Sequence, residues 1–110
     1  MTTVTFLTEG SRITGFDAAG HSGYADEGED IVCAAITSTV RLIECILNDV
    51  MGLCASVKVH EKTATISLRL PGSLGETAEK TCQALLTGMM VYLSELHNEF
   101  PDNIEVLEAE

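Results

Sequence analysis

Two apolar periods alternate along this chain, and their order constrains its fold more than any other feature. Val4 and Phe6 alternate with threonines in "TVTFLT", "TEGSR" turns the chain, and "RITGF" follows, so the opening reads as a β-hairpin. At Asp30 the period changes. Val32, Ile36, Val40, Ile43, Leu47 and Val50 recur at helical spacing, with Asp30 placed as an N-cap and Gly52 as a stop. Period two returns in "SVKVHEKTATISLRL", where Val57 and Val59, then Ile66, Leu68 and Leu70, flank the polar "HEKT" of a second hairpin ended by Pro71-Gly72. A second amphipathic helix starts near Ser73 or Leu74 and stops before Pro101, burying the stripe Ala78, Cys82, Leu85, Met89, Leu93 and Leu96. "NIEVLEA" reads as a short closing strand.

The order ββαββα, with that final strand, predicts an α+β fold: a mostly antiparallel β-sheet and two long α-helices in a two-layer sandwich. At 110 residues the chain makes one domain, residues 1–110, large enough to bury a core without staples. With so few layers, apolar surface is left over, and a homodimer is expected to bury it.

Charge narrows the function classes. Six basic against seventeen acidic residues give a net charge of -11, the wrong sign for a phosphate backbone, so no nucleic acid is expected as a partner. The same field attracts basic partners. "MTTVTFLTEG" lacks a basic region followed by an apolar run, and no segment approaches eighteen apolar residues in succession. The expectation is a soluble, cytoplasmic protein with no membrane partner.

Chemistry has to be sought among the cysteines and histidines. Cys33, Cys45, Cys54 and Cys82 include no C-x-x-C pair, so neither a zinc site nor a disulfide framework is indicated and the thiols read as reduced. Cys82 lies on the buried stripe of the second helix, Cys54 follows a helix stop, and Cys45 sits beside Glu44. Cys33 differs: it shares the polar flank of the first helix with Thr37, Arg41, Glu44 and Asn48. If Asp30 is the cap, Cys33 is the third residue of the helix, where the dipole and unpaired N–H groups favour a thiolate. Asp30, itself an anion, opposes that ionisation unless its charge is occupied in capping or by a histidine.

Among the histidines, His60 reads as part of a polar turn and His97 as the end of a helix. His21 sits among small residues, Gly20, Ser22 and Gly23, in a loop from Asp17 to Glu29 that also carries Tyr24 and Gly28 and reads as mobile. A Cys33–His21 dyad is one reading of this arrangement; a merely solvated histidine is the other. The loop has no lysine or arginine to hold phosphate. A metal set of His21 and Cys33 with Asp17, Asp26 or Asp30 has no motif spacing, so no metal and no cofactor are expected. Asp26, Glu27, Glu29 and Asp30 also read as a solvated charge run.

"GHSGYADEGEDIVCAAIT" resembles the signature of the ribosomal-processing cysteine proteases: a G-H-x-G-Y-A segment, an acidic glycine-bearing loop, and D-I-V-C-A-A, with a hydroxyl residue, Thr37, one turn after the cysteine. Ser22 and Thr37 stand where the family more often has alanine and serine. The resemblance implies a homodimeric α+β protease that removes the N-terminal extension of a large-subunit ribosomal protein, bL27, cutting after an aromatic-rich segment and before a small residue. It implies Cys33 as nucleophile and His21 as base. Asp30 then caps the helix or orients His21. The N–H groups around Cys33 and Ala34 are candidate oxyanion donors, with Thr37 as a side-chain helper. The loop glycines suggest that His21 is fixed only when substrate binds. A rival of another class stays open: an acidic, non-enzymatic ribosome-associated binding module in which Cys33 is a redox-sensitive thiol.

Overall fold

The computed structural model describes residues 1–21, 23, 25–26 and 30–110. Strands β1 (Thr2–Glu9) and β2 (Arg12–Ala19) form the expected opening hairpin. β2 runs farther than its sequence suggests, for Asp17, Ala18 and Ala19 remain in the sheet instead of opening the loop. They are held by β4 (Thr65–Arg69), which pairs Asp17 with Ser67, Ala18 with Ile66 and Ala19 with Thr65. An ion pair between Asp17 and Arg69 at 2.9 Å adds to that edge. Long-range pairing thus overrides a local pattern of glycine and acid.

β3 (Ser56–His60) pairs antiparallel with β4, and β5 (Ile104–Ala109) lies parallel to β1, giving the order β3-β4-β2-β1-β5. The sheet is therefore mixed, with one parallel pair at its edge. Cross-strand registry puts Val106, Val4, Ala18, Ile66 and Val59 in one row and Phe6, Phe16, Leu68 and Val57 in the next, all on one face. The opposite face carries Thr3, Thr5, Asp17, Ser67 and Lys58, as alternation requires. Both helices contribute to the core on the apolar face, where Phe6 and Phe16 pack with ring centroids 6.0 Å apart.

α1 (Ile31–Glu44) buries Val32, Ile36, Val40 and Ile43, and a π-helical turn, Cys45–Val50, continues it and buries Leu47. The sequence reads as one uninterrupted helix. Its last turn widens where the Met51 N–H reaches back to the Ile46 carbonyl (2.9 Å) and the Asn48 amide grips both backbone groups of Ala55, at 2.7 and 3.1 Å. By length and hydropathy the run Ile31–Val50 would suffice to cross a bilayer. Here its apolar stripe packs in the core, while Arg41 and Asp49 face outward.

α2 (Glu76–Glu99) begins after Gly75, slightly later than expected, and buries Cys82, Leu86, Met89, Leu93 and Leu96. Leu86 takes the place expected for Leu85, which is half-buried together with Ala78. Both leucines fit a 3.6-residue period between Cys82 and Met89, and packing decides between them. Arg12 pairs with Glu79 at 2.7 Å, and the Gln83 amide accepts from the Ile13 N–H and donates to its carbonyl, both at 2.8 Å, tying α2 to the hairpin.

Candidate active site

The start of α1 is built by Asp30. Its buried carboxylate accepts from the N–H groups of Val32 (3.0 Å) and Cys33 (2.9 Å), and its carbonyl accepts from Ala34 N–H (3.0 Å). The cap role read from sequence is therefore real. The Cys33 and Ala34 N–H groups, expected as candidate oxyanion donors, are thus engaged within the cap. Thr37, the side-chain candidate, lies one turn on and is exposed. Cys33 is half-buried at the seam between the core-facing Val32 and Ile36 and the exposed Ala34 and Thr37.

His21 follows a constrained backbone. Gly20 has φ +89, and a Cβ there would lie 2.8 Å from the Met1 carbonyl oxygen. Its N–H donates to the Ala64 carbonyl at 3.0 Å, and the Thr2 hydroxyl donates to its own carbonyl at 3.4 Å. The chain is thus clamped between the start of β1 and the β3–β4 turn just before the exposed histidine.

Two clefts meet at this place. The first, about 240 Å³, has apolar walls of Ala18, Ile36, Val40, Val59 and Ile66. The second, about 440 Å³, is walled by Gly23, Ala25, Asp30 and Ala34. His21, Cys33 and Thr37 line both. The fold therefore brings together the residues that the sequence singled out, with Gly20 in the first cleft and Gly23 in the second. Ser22, Tyr24 and Gly28 lie outside the described residues, as does most of the loop read as mobile.

What sequence reasoning missed is the β3–β4 hairpin as a wall. Val59 belongs to the core-facing row yet is 63% exposed, and this uncovered end of the row forms the first cleft. A valine in phase with core residues but next to the polar "HEKT" was the available signal. His60, expected to be only a solvated turn residue, is exposed and lines the same cleft, as does Glu61.

The other thiols stand apart. Cys45 and Cys54 are exposed and line neither cleft. Cys82 is fully buried, its thiol pushed up by burial first and by Glu79 second, with Arg12 opposing. Among the described residues, no group of three or more His, Cys, Asp or Glu side chains is placed to hold a metal. What the site offers is a thiol, an imidazole and a hydroxyl where an apolar cleft opens into a more polar one, a set suited to nucleophilic attack on a carbonyl.

Comparison with known proteins agrees with that chemistry. The family model described as cysteine protease Prp matches residues 1–105. The ribosomal processing cysteine protease Prp of Bacillus subtilis (strain 168) is 29% identical over 94 residues, covering 86% of this chain and 84% of the relative. The structure of the ribosomal processing protease Prp from S. aureus with a covalently linked product peptide superposes with a TM-score of 0.85 at 20% identity, covering 99% of this chain and 100% of that one. A Streptococcus mutans structure gives 0.80 at 18%, with 98% and 93% covered. The α+β fold is thus a shared one.

Proposed function

The chain belongs to the cysteine protease Prp family and is a cysteine protease, and from that premise we propose that Cys33 is its nucleophile and His21 its general base. One observation carries this: Cys33, His21 and Thr37 form the wall common to both clefts, so a peptide running from one cleft into the other passes over the thiol. In the reaction, a ring nitrogen of His21 takes the thiol proton as Cys33 Sγ bonds to the scissile carbonyl carbon. Thr37 donates to the oxyanion, in place of the N–H groups committed to the cap. The C–N bond then breaks as the imidazolium protonates the leaving amine, and water, activated by the same histidine, hydrolyses the thioester and restores the thiol.

The substrate is the N-terminal extension of the large-subunit ribosomal protein bL27, cut after an aromatic-rich segment. The apolar walls of the first cleft suit an aromatic side chain. A net charge of -11 suits a basic ribosomal protein, and the Bacillus subtilis relative is named for ribosomal processing. The protein acts in the cytoplasm as a soluble homodimer, a reading supported by apolar side chains left in water on the first helical run, Leu42 at 59% and Val50 at 74% exposure. Incubation with a peptide spanning the extension, followed by mass spectrometry, is expected to give one cut between an aromatic and a small residue. An intact peptide would reject the substrate. Sedimentation at micromolar concentration tests the dimer, and a clean species at 11.8 kDa would reject it.

A further inference from the structure

The sheet edge farthest from the cleft has features that catalysis leaves unused. β5 is the last strand in the order, so its second edge pairs with no strand among the described residues. Beside it, a groove of about 390 Å³ opens between β5 and α2, floored by Val106 and flanked by Val91 and Leu107, which are 53% and 44% exposed. Ser94, Glu95 and Glu108 complete its rim. From residue 90 to 110 the chain carries Glu95, Glu99, Asp102, Glu105, Glu108 and Glu110, and no lysine or arginine.

We infer that this groove docks an extended segment of the substrate that carries both basic and apolar residues, added as a sixth strand along β5. This rests on the reading that the substrate is a ribosomal protein. An open strand edge supplies main-chain hydrogen bonds to any extended peptide, and side-chain pockets and charge decide which one. Val106 and Glu108 share the helix-facing side of β5, so successive side chains that a sixth strand turns to that side meet first Val91 and Val106, which suit an apolar group, and then Glu95 and Glu108, which suit lysine or arginine. A second copy of this chain is the poorer occupant. A second β5 alongside the first would crowd Glu105 and Glu108 of one strand against those of the other, and like charges facing across strands destabilise. The charges that prevent self-pairing thus select a basic partner.

A strand added beyond β5 stands four strand spacings from β4, roughly 19 Å. At about 3.3 Å per extended residue, the docked segment lies about six residues from the scissile bond. The groove would then hold the body of the substrate while its extension reaches the thiol.

The test uses the full chain with Cys33→Ala and a fluorescent octapeptide in which lysine pairs alternate with valine pairs, so that each face of the extended peptide carries both, followed by anisotropy at low salt. Glu95→Lys with Glu108→Lys is expected to weaken binding by roughly tenfold or more. Glu44→Lys with Asp49→Lys, equal in charge change but on the first helical run, is expected to weaken it by less than about threefold. Equal losses from both pairs would reduce the effect to overall charge and overturn the inference. So would unchanged binding, or a change in oligomeric state caused by the Glu95 and Glu108 variant. In the active protein, the Glu95 and Glu108 variant should cut a short extension peptide at the wild-type rate. With a longer peptide carrying the basic segment, it should lose roughly tenfold in kcat/KM, through KM. Equal rates on the longer peptide would overturn docking while leaving the protease reading intact. Specific binding of the octapeptide with neither substrate cut would support the groove and reject the substrate.

Discussion

Gly20→Ala tests whether the fold places His21. The substitution asks an L-residue to hold φ +89 and sets its Cβ 2.8 Å from the Met1 carbonyl oxygen, a backbone atom that no rotamer change can move. Left-handed backbone costs about 1–2 kcal/mol, and crowding of this kind adds about 1–3 kcal/mol. The chain relieves part of that by shifting, and a shift on the Gly20 side carries His21 with it, at the expense of the 3.0 Å bond from Gly20 N–H to Ala64. A displacement near 1 Å at a catalytic group lowers rate by about a hundredfold. Expected, then, are a roughly hundredfold fall in kcat/KM on an extension peptide and a fall in Tm of roughly 10 °C or more. Gly10→Ala is the control: its φ is +63, but nothing lies within 4 Å of its added Cβ. It should lose about 1 kcal/mol and no activity. If Gly20→Ala matches Gly10→Ala in both kcat/KM and Tm, the clamp does not position the histidine.

Asp30→Ala should cost about 1–2 kcal/mol in thermal unfolding, and Asp30→Asn, which keeps an acceptor for the Val32 and Cys33 N–H groups, should recover most of it; equal losses would mean that charge, not the cap bonds, supplies the stability. The raised Cys82 thiol makes the fold hold a proton that the unfolded chain releases above the ordinary value of 9.0, so its contribution is full below that pH and is lost as pH rises beyond it. Denaturant titrations from pH 7 to 10 should show this decline in the wild type and a flatter profile in Cys82→Ala, which gives up about 1 kcal/mol to its cavity at neutral pH; parallel profiles would refute the assignment. Iodoacetamide inactivation should track modification of Cys33 by mass spectrometry, with Cys45→Ala and Cys54→Ala inactivated at the wild-type rate. Slower inactivation in either variant would move the nucleophile elsewhere.

Much of this structure was legible because its signals are local. The helical period from Val32 to Leu47, the alternation about "HEKT", and Asp30 ahead of three N–H groups each act within a few residues of themselves. The misreadings come from distant partners. Asp17–Ala19 looks like loop until β4 pairs with it, and Ala55 draws Asn48 out of regular helix. β5 was legible as a strand, but its parallel pairing with β1 spans nearly the whole chain and leaves no local signal. At the site, Cys33 and His21 could be named from spacing, since one begins a helix and the other sits among glycines. The apolar wall could not, because Val59 becomes a cleft residue only when α1 leaves the end of its row uncovered.

The central claim is that Cys33 and His21 act as one unit, and residues acting as a unit are non-additive when removed. Initial cleavage rates of an extension peptide should be measured for Cys33→Ala, His21→Ala and the double variant, each confirmed folded by its melting curve. Expected are no detectable turnover for Cys33→Ala, a loss of roughly two to four orders of magnitude for His21→Ala, and a double variant no worse than Cys33→Ala. Cleavage by Cys33→Ala at the wild-type rate, with contaminating protease excluded, would contradict the assignment.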